Sequence, residues 1–225
     1  MRTLLSIRNQ VKNDLDLWQE DFISDSEIDR HINDSIKKAA AAIIKENADY
    51  FKAETDIALS EGTNIYDLPS DIYLNKLKKL TFIDGTHTHR VDKIKDLYNA
   101  DSLDVNYEGG NPILQYDITN NSGEGRKLRI FPDDCRAGTL HVWYIRNPAV
   151  LSADTDECDI DEFDDYIVQS TKTAILLEDG DPRSADSKNL EMEYKREMIS
   201  TISEMVLDDE DNKIYIEASF YNDHI

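Results

Sequence analysis

The sequence predicts an α+β fold in which four helices, two N-terminal and two C-terminal, are interrupted by an antiparallel β insertion and followed by an extended C-terminal arm. Three changes of apolar spacing carry this reading. Apolar residues recur every three or four positions over residues 1–54, the period falls to two over 55–150, and helical spacing returns over 151–207. These ranges give an N-terminal helical hairpin, a β insertion and a C-terminal helical hairpin, with residues 208–225 left as the arm.

Leu4, Ile7, Val11, Leu15 and Trp18 share one face of the first helix. Ser24-Asp25-Ser26-Glu27 opens the second as a capping box, in which Ser24 accepts a backbone N–H and Glu27 reaches back. Ile28, Ile32, Ile36 (or Ser35), Ala39 and Ile43 continue its stripe, and the small side chains of Ala39–Ala42 let a neighbouring helix approach closely. A short loop around Asp21–Ile23 makes the pair an αα-hairpin.

Ile57/Leu59 and Ile65-Tyr66 begin the two-residue period, and Pro69 stops any helix there. Leu77–Ile83 reads as a strand that runs into the turn dipeptide Asp84-Gly85. Val91–Ala100 reads as a strand followed by one helical turn. Ile113–Ile118, Lys127–Phe131 and Thr139–Ile145 are further strands between Gly- and Asn-rich turns. About six strands in succession argue for an antiparallel insertion, not βαβ units.

Phe163, Tyr166/Ile167, Ser170, Ala174 and Leu177 form the stripe of the third helix. Asp179-Gly180-Asp181-Pro182 ends it and starts the next, with Asp181 as N-cap and Pro182 in the first turn. Leu190, Tyr194, Met198, Ile202 and Met205 carry the last helix. Beyond it, Asp208-Asp209-Glu210-Asp211 reads as a repelling hinge. Ile214, Tyr215, Ile216, Phe220 and Tyr221 then form a sticky segment suited to docking on a partner or a neighbouring subunit.

The chain holds 47 acidic and 25 basic residues, a formal net charge of −22. With 40% hydrophobic residues it is too apolar to be disordered throughout. Its longest apolar run, Ala39–Ile44, is far short of a membrane span. The start leads straight into a helical pattern instead of a charged segment followed by an apolar one. Cys135 and Cys158 have no metal spacing, so a reduced cytosolic setting is expected. Tight attraction of nucleic acid by charge is excluded, because that needs a basic surface. Residues 1–54 and 55–150 each carry −3, whereas residues 151–225 carry −16. Such asymmetry suits a surface that repels a polyanion or awaits a basic partner.

No cofactor or metal site is expected. His87 and His89 share a strand face, but two ligands do not make a site. Asp154, Asp156, Glu157, Asp159, Asp161, Glu162, Asp164 and Asp165 are the densest acidic cluster. Counted from Asp154 as an EF-hand loop, they put Asp159 where Gly is required and Asp165 where Glu is required. Asp154, Asp156, Asp159 and Asp161 are therefore expected to present a negative surface to a channel or an interface. Gly123-Glu124-Gly125-Arg126-Lys127 precedes a strand and lacks the order of a phosphate loop. Nothing assembles a nucleophile, a base and an oxyanion hole, so an enzyme is not expected.

Four segments, in order, resemble head–tail adaptor (connector) proteins of tailed double-stranded DNA phages. They are Ser24-Asp25-Ser26-Glu27-Ile28 running into an Ala-rich helix, and Tyr66-Asp67-Leu68-Pro69-Ser70-Asp71. The third is the strand pair Leu128–Pro132 and Thr139–Tyr144 leading to Asn147-Pro148-Ala149-Val150-Leu151. The fourth is the helix from Phe163 that ends in Glu178-Asp179-Gly180-Asp181. Together they span about residues 20–181. The resemblance implies a four-helix body interrupted by a β domain, assembled as a ring, usually dodecameric, below the portal. Such a ring joins capsid to tail in the virion and lets the genome pass without specific binding. Its implied partners are the portal, a tail or next connector protein, and itself, with no membrane and no catalytic residues. The subunit would be made in the host cytoplasm. The long β insertion and aromatic arm depart from the smaller members. An acidic DNA mimic that blocks a nucleic-acid-binding partner is the alternative reading, although its carboxylates would be spread over the whole length.

Overall fold

The computed structural model describes residues 2–17, 23–85, 87–95, 114–121, 125–132 and 137–211, without the side chains of residues 161 and 206–211. The chain divides into two compact units, residues 1–50 with 149–225, and residues 51–148.

The first unit is helical: α1 (Leu4–Leu15), α2 (Asp25–Glu46), α3 (Asp164–Asp179) and α4 (Ser184–Asp211). Thr3 caps α1, and the Ser24/Glu27 capping box opens α2 with both of its bonds formed. The expected stripes are buried: Leu4, Ile7, Val11 and Leu15 on α1, and Ile28, Ile32, Ser35, Ile36, Ala39 and Ile43 on α2. Trp18 lies outside the described residues.

Helix α3 packs against α1, α2 and α4. Being covered on several sides, it buries Gln169, Ser170, Thr171 and Thr173 along with Ile167 and Ile175, and the single-stripe reading fails. Leu177, assigned to that stripe, is exposed. The buried threonine hydroxyls find acceptors. Thr171 donates to the Ile167 carbonyl at 2.8 Å, and Thr173 to that of Gln169 at 2.9 Å. The Gln169 amide donates to the Ser187 carbonyl at 3.0 Å and to its hydroxyl at 2.8 Å, which ties α3 to α4. Gly180, at φ +71°, ends α3 in the left-handed conformation that favours glycine.

Helix α4 starts at Ser184, not around Pro182. Asp181 accepts from the Arg183 N–H at 2.7 Å, so it closes the turn before the helix in place of capping it. Only the middle of the expected stripe is buried, at Met198 and Ile202, while Leu190 and Met205 are exposed. The helix also continues to Asp211. Extending a formed helix needs one bond per residue, and acids near a C-terminus cost only a fraction of a kcal/mol each. Asp208–Asp211 are therefore helical and do not form a hinge. Residues 212–225 lie outside the described residues, and with them Ile214, Tyr215, Ile216, Phe220 and Tyr221.

The second unit is a seven-stranded sheet of β1 (Lys52–Leu59), β2 (Ile65–Asp67), β3 (Ile72–Asp84), β4 (His87–Lys93), β5 (Leu114–Asn121), β6 (Gly125–Phe131) and β7 (Gly138–Arg146). The order is β1-β7-β3-β4-β5-β6-β2. One pairing corrects the all-antiparallel expectation, because β4 and β5 run parallel. A parallel pair needs a crossover of about a dozen residues or more, and residues 94–113 provide that length. Most of that connection, residues 96–113, lies outside the described residues, including the helical turn expected toward Ala100.

The strand order also requires curvature. The edge strands β1 and β2 are consecutive, and Leu59 to Ile65 reaches at most about 20 Å. A flat sheet of seven strands would set its edges about 29 Å apart. The sheet therefore rolls into a nearly closed barrel with its seam between β1 and β2. Side chains from every strand meet in one interior cluster: Leu59, Tyr66, Leu80, Phe82, Val91, Leu114, Leu128, Ile130, Leu140 and Val142.

Candidate functional site

The acidic segment after residue 151 is built into the helical unit. Leu4 N–H donates to the Asp156 carbonyl at 2.9 Å, and Cys158 N–H to the Arg2 carbonyl at 3.0 Å. Thr3 and Glu157 form an antiparallel bridge. Arg8, buried on α1, donates from Nε and Nη2 to the two oxygens of Asp29, each at 2.7 Å. Its Nη2 also meets Asp154 Oδ1 at 2.9 Å. Asn33 clamps Leu151 through both its amide groups, each at 2.9 Å.

The predicted acidic residues thus have internal partners. Asp156 Oδ2 accepts from the backbone N–H groups of Ser152 at 2.7 Å and Ala153 at 2.8 Å. These amides, Ala153 first, hold its carboxyl below the usual carboxylate range. Asp159 accepts from Ala149 N–H at 2.7 Å, and Glu162 from the Tyr50 hydroxyl at 2.7 Å. The Asp161 side chain lies outside the described residues. Asp154 is exposed, and Asp156 and Asp159 are half-buried. What appeared in sequence to be a solvated acidic loop is a structured segment whose carboxylates also organise the chain around them.

In the barrel, two segments named in the resemblance meet. The Tyr144 hydroxyl donates to Asp71 Oδ1 at 2.9 Å, and Asn147 donates from its backbone and its side chain to the Asp71 carbonyl, at 2.6 and 2.9 Å. Burial, with Asp71 adding to it, raises the Tyr144 phenol to about 12.

The outer barrel surface carries charge in patches. His141 on β7 is flanked by Asp56 and Glu54 of β1. Asp56 first, and Glu54 after it, raise the imidazole above its ordinary value against a smaller opposing effect of burial. The Trp143 ring meets His141 edge-on at 4.1 Å, and the Lys79 ammonium sits 4.6 Å from the Trp143 centroid.

Lys78 and Lys79 of β3 and Arg90 and Lys93 of β4 line one groove, whose walls include Leu80, Val91 and Tyr116. Asp92 also lines it and is bound to Arg90 at 2.6 Å. Strand β3 is irregular just before this groove. Leu74 and Asn75 have φ of +45° and +56°, Leu74 is 70% exposed, and the register slips around Lys78. Residues 76–95 contain six bases and two acids, a local excess of +4 within a strongly acidic chain. Over residues 55–150 as a whole the excess is cancelled, to a net −3.

His87 and His89 share a face of β4, with His89 stacked on Phe82 at 6.2 Å. Among the described residues, no group of three or more His, Cys, Asp and Glu side chains could hold a metal ion, and no helix is long and apolar enough to cross a membrane.

Comparison with known proteins gives one family. No curated protein matches the chain. The family model described as SU10 adaptor protein matches residues 2–215, which takes in both units and stops short of Phe220 and Tyr221. The chain belongs to the SU10 adaptor protein family, a family of the phage head–tail adaptor type.

Proposed function

We propose that this chain is a structural head–tail connector subunit that forms a ring beneath the portal, joins capsid to tail and lines the passage for DNA. Membership of the adaptor family over residues 2–215 is the observation that carries the reading. The subunit is non-enzymatic and belongs to the virion. Its partners are the portal, a tail or next connector protein, and further copies of itself, twelve to a ring. A net charge of −22 supports passage of DNA without retention, since attraction to the duplex needs released counterions and a basic surface. Asp154, Asp156, Asp159 and Asp161 contribute part of that charge toward the channel or an interface. Residues 212–225 act as a docking arm through Ile214, Tyr215, Ile216, Phe220 and Tyr221. A DNA mimic would need an unbroken anionic face, which the excess of bases over residues 76–95 disfavours.

Electron micrographs of the purified chain mixed with its portal protein test the proposal. Ring density stacked on the portal is expected. A chain that stays apart from portal and tail proteins overturns it. Deleting residues 212–225 tests the arm separately. The truncated chain is expected to keep its melting temperature and lose portal binding or assembly, and unchanged binding and assembly would refute the arm.

A further inference from the structure

We infer that the basic groove on β3 and β4 is the docking site for the acidic end of helix α4 of a second copy of this chain. The inference rests on the ring reading and names the contact that would close the ring.

The groove gathers Lys78, Lys79, Arg90 and Lys93, with Asp92 among them and Tyr116 beside them. Lys78, Lys79, Arg90 and Lys93 are all exposed. With Asp92 bound to Arg90, the groove still carries four bases against one acid, and that excess attracts an anionic partner. Trp143 holds Lys79 from one side by a cation–π contact, so part of the site is fixed before a partner arrives.

The complementary element lies on the same chain. From Glu197 to Asp211 there is no basic residue, while Glu204, Asp208, Asp209, Glu210 and Asp211 accumulate toward the end of α4. The four consecutive acids Asp208–Asp211 repel one another and are stabilised by a cationic surface. A contact between two different patches, one on each copy, is heterologous, and heterologous contacts close into rings when the rotation between copies permits. One chain bearing both a basic groove and an acidic helix end has the two halves of such a contact.

Two variants test it. The first carries Lys78→Glu, Lys79→Glu and Lys93→Glu. The second carries Asp208→Lys, Asp209→Lys and Asp211→Lys. The mass of each is followed by light scattering at low and high salt, beside the wild-type chain. Expected are wild-type assembly that weakens with salt, loss of assembly in each variant alone, and recovery when the two are mixed. Recovery arises because the reversed groove of one then faces the reversed helix end of the other, and damage to folding would not be rescued in this way. Should the first variant fail to fold, Lys78→Gln, Lys79→Gln and Lys93→Gln replaces it, with weakened assembly expected and unchanged assembly contradicting the inference.

Wild-type assembly indifferent to both variants, or a mixture of folded variants that does not recover, overturns this contact and leaves the ring reading standing. A wild-type chain that is monomeric at every salt and concentration, with and without portal, overturns both. A drop in melting temperature of the dilute monomer on charge reversal, restored by combining both sets in one chain, places the contact within a single copy and overturns the inference. So does retention of double-stranded DNA that depends on Lys78, Lys79 and Lys93 while assembly is unchanged.

Discussion

Arg8 grips Asp29 with two parallel bonds of 2.7 Å, and the same guanidinium reaches Asp154 at 2.9 Å. One buried cation thereby joins α1, α2 and the acidic segment that precedes α3. Arg8→Ala leaves Asp29 without its partner, and a loss of about 3 kcal/mol in urea unfolding is expected, near the lower end for breaking a buried pair because Asp29 keeps some access to water. Arg8→Met with Asp29→Leu should recover much of it. A single variant as stable as wild type would show that the pair does not hold these elements together.

Asp156 accepts two backbone N–H groups and the Ser152 hydroxyl, so Asp156→Ala should lower the melting temperature, whereas Glu157→Ala should leave it nearly unchanged. Because its carboxyl is held below the ordinary value of 3.8, its stabilising effect is complete above that pH and fades as acid protonates the folded form. Melting curves of wild type and Asp156→Ala should therefore converge in strong acid. A constant difference down to low pH would contradict the assignment.

Tyr144 gives the opposite sign. Its phenol is raised from 10.0 to about 12, so the folded state keeps the proton longer than the unfolded chain. Stability from this group is complete below pH 10 and is lost as pH rises toward about 12. Tyr144→Phe should cost about 1 kcal/mol at neutral pH through the lost bond to Asp71. It should also flatten the alkaline limb of the stability profile, and an unaltered limb would refute the role.

Gly138 begins β7 where the backbone lies against β3. A Cβ placed there would stand 2.5 Å from the Phe82 ring and 2.7 Å from the Ile83 carbonyl oxygen. Gly138→Ala is expected to destabilise by about 1–3 kcal/mol, since neither the buried ring nor the strand backbone can give way cheaply. A change within about 0.5 kcal/mol, as for an ordinary surface site, would contradict the close approach.

Much of the fold was legible in sequence wherever the determinants are local. The Ser24/Glu27 box closes within four residues, Asp84-Gly85 marks its turn with φ +58° at the glycine, and the stripes of α1 and α2 follow the helical period. Long-range facts were not legible. The parallel β4–β5 pair and the curl that brings β1 toward β2 depend on strand order, which no local pattern encodes. Burial of Gln169, Thr171 and Thr173 depends on α3 having several neighbours, so polarity misled the stripe. The bond from Arg8 to Asp154 spans most of the chain, and the acids therefore read as free. The basic groove was hidden because Lys78 and Lys79 meet Arg90 and Lys93 only once β3 and β4 pair.

A ring of this adaptor-family chain on the portal is the proposed assembly. Native mass measurement of the chain titrated into portal tests it most directly. One discrete complex is expected, holding a fixed, repeated number of subunits per portal ring, with no change in mass on further addition. A chain that remains a single subunit at every ratio, with the portal mass unchanged, would contradict it.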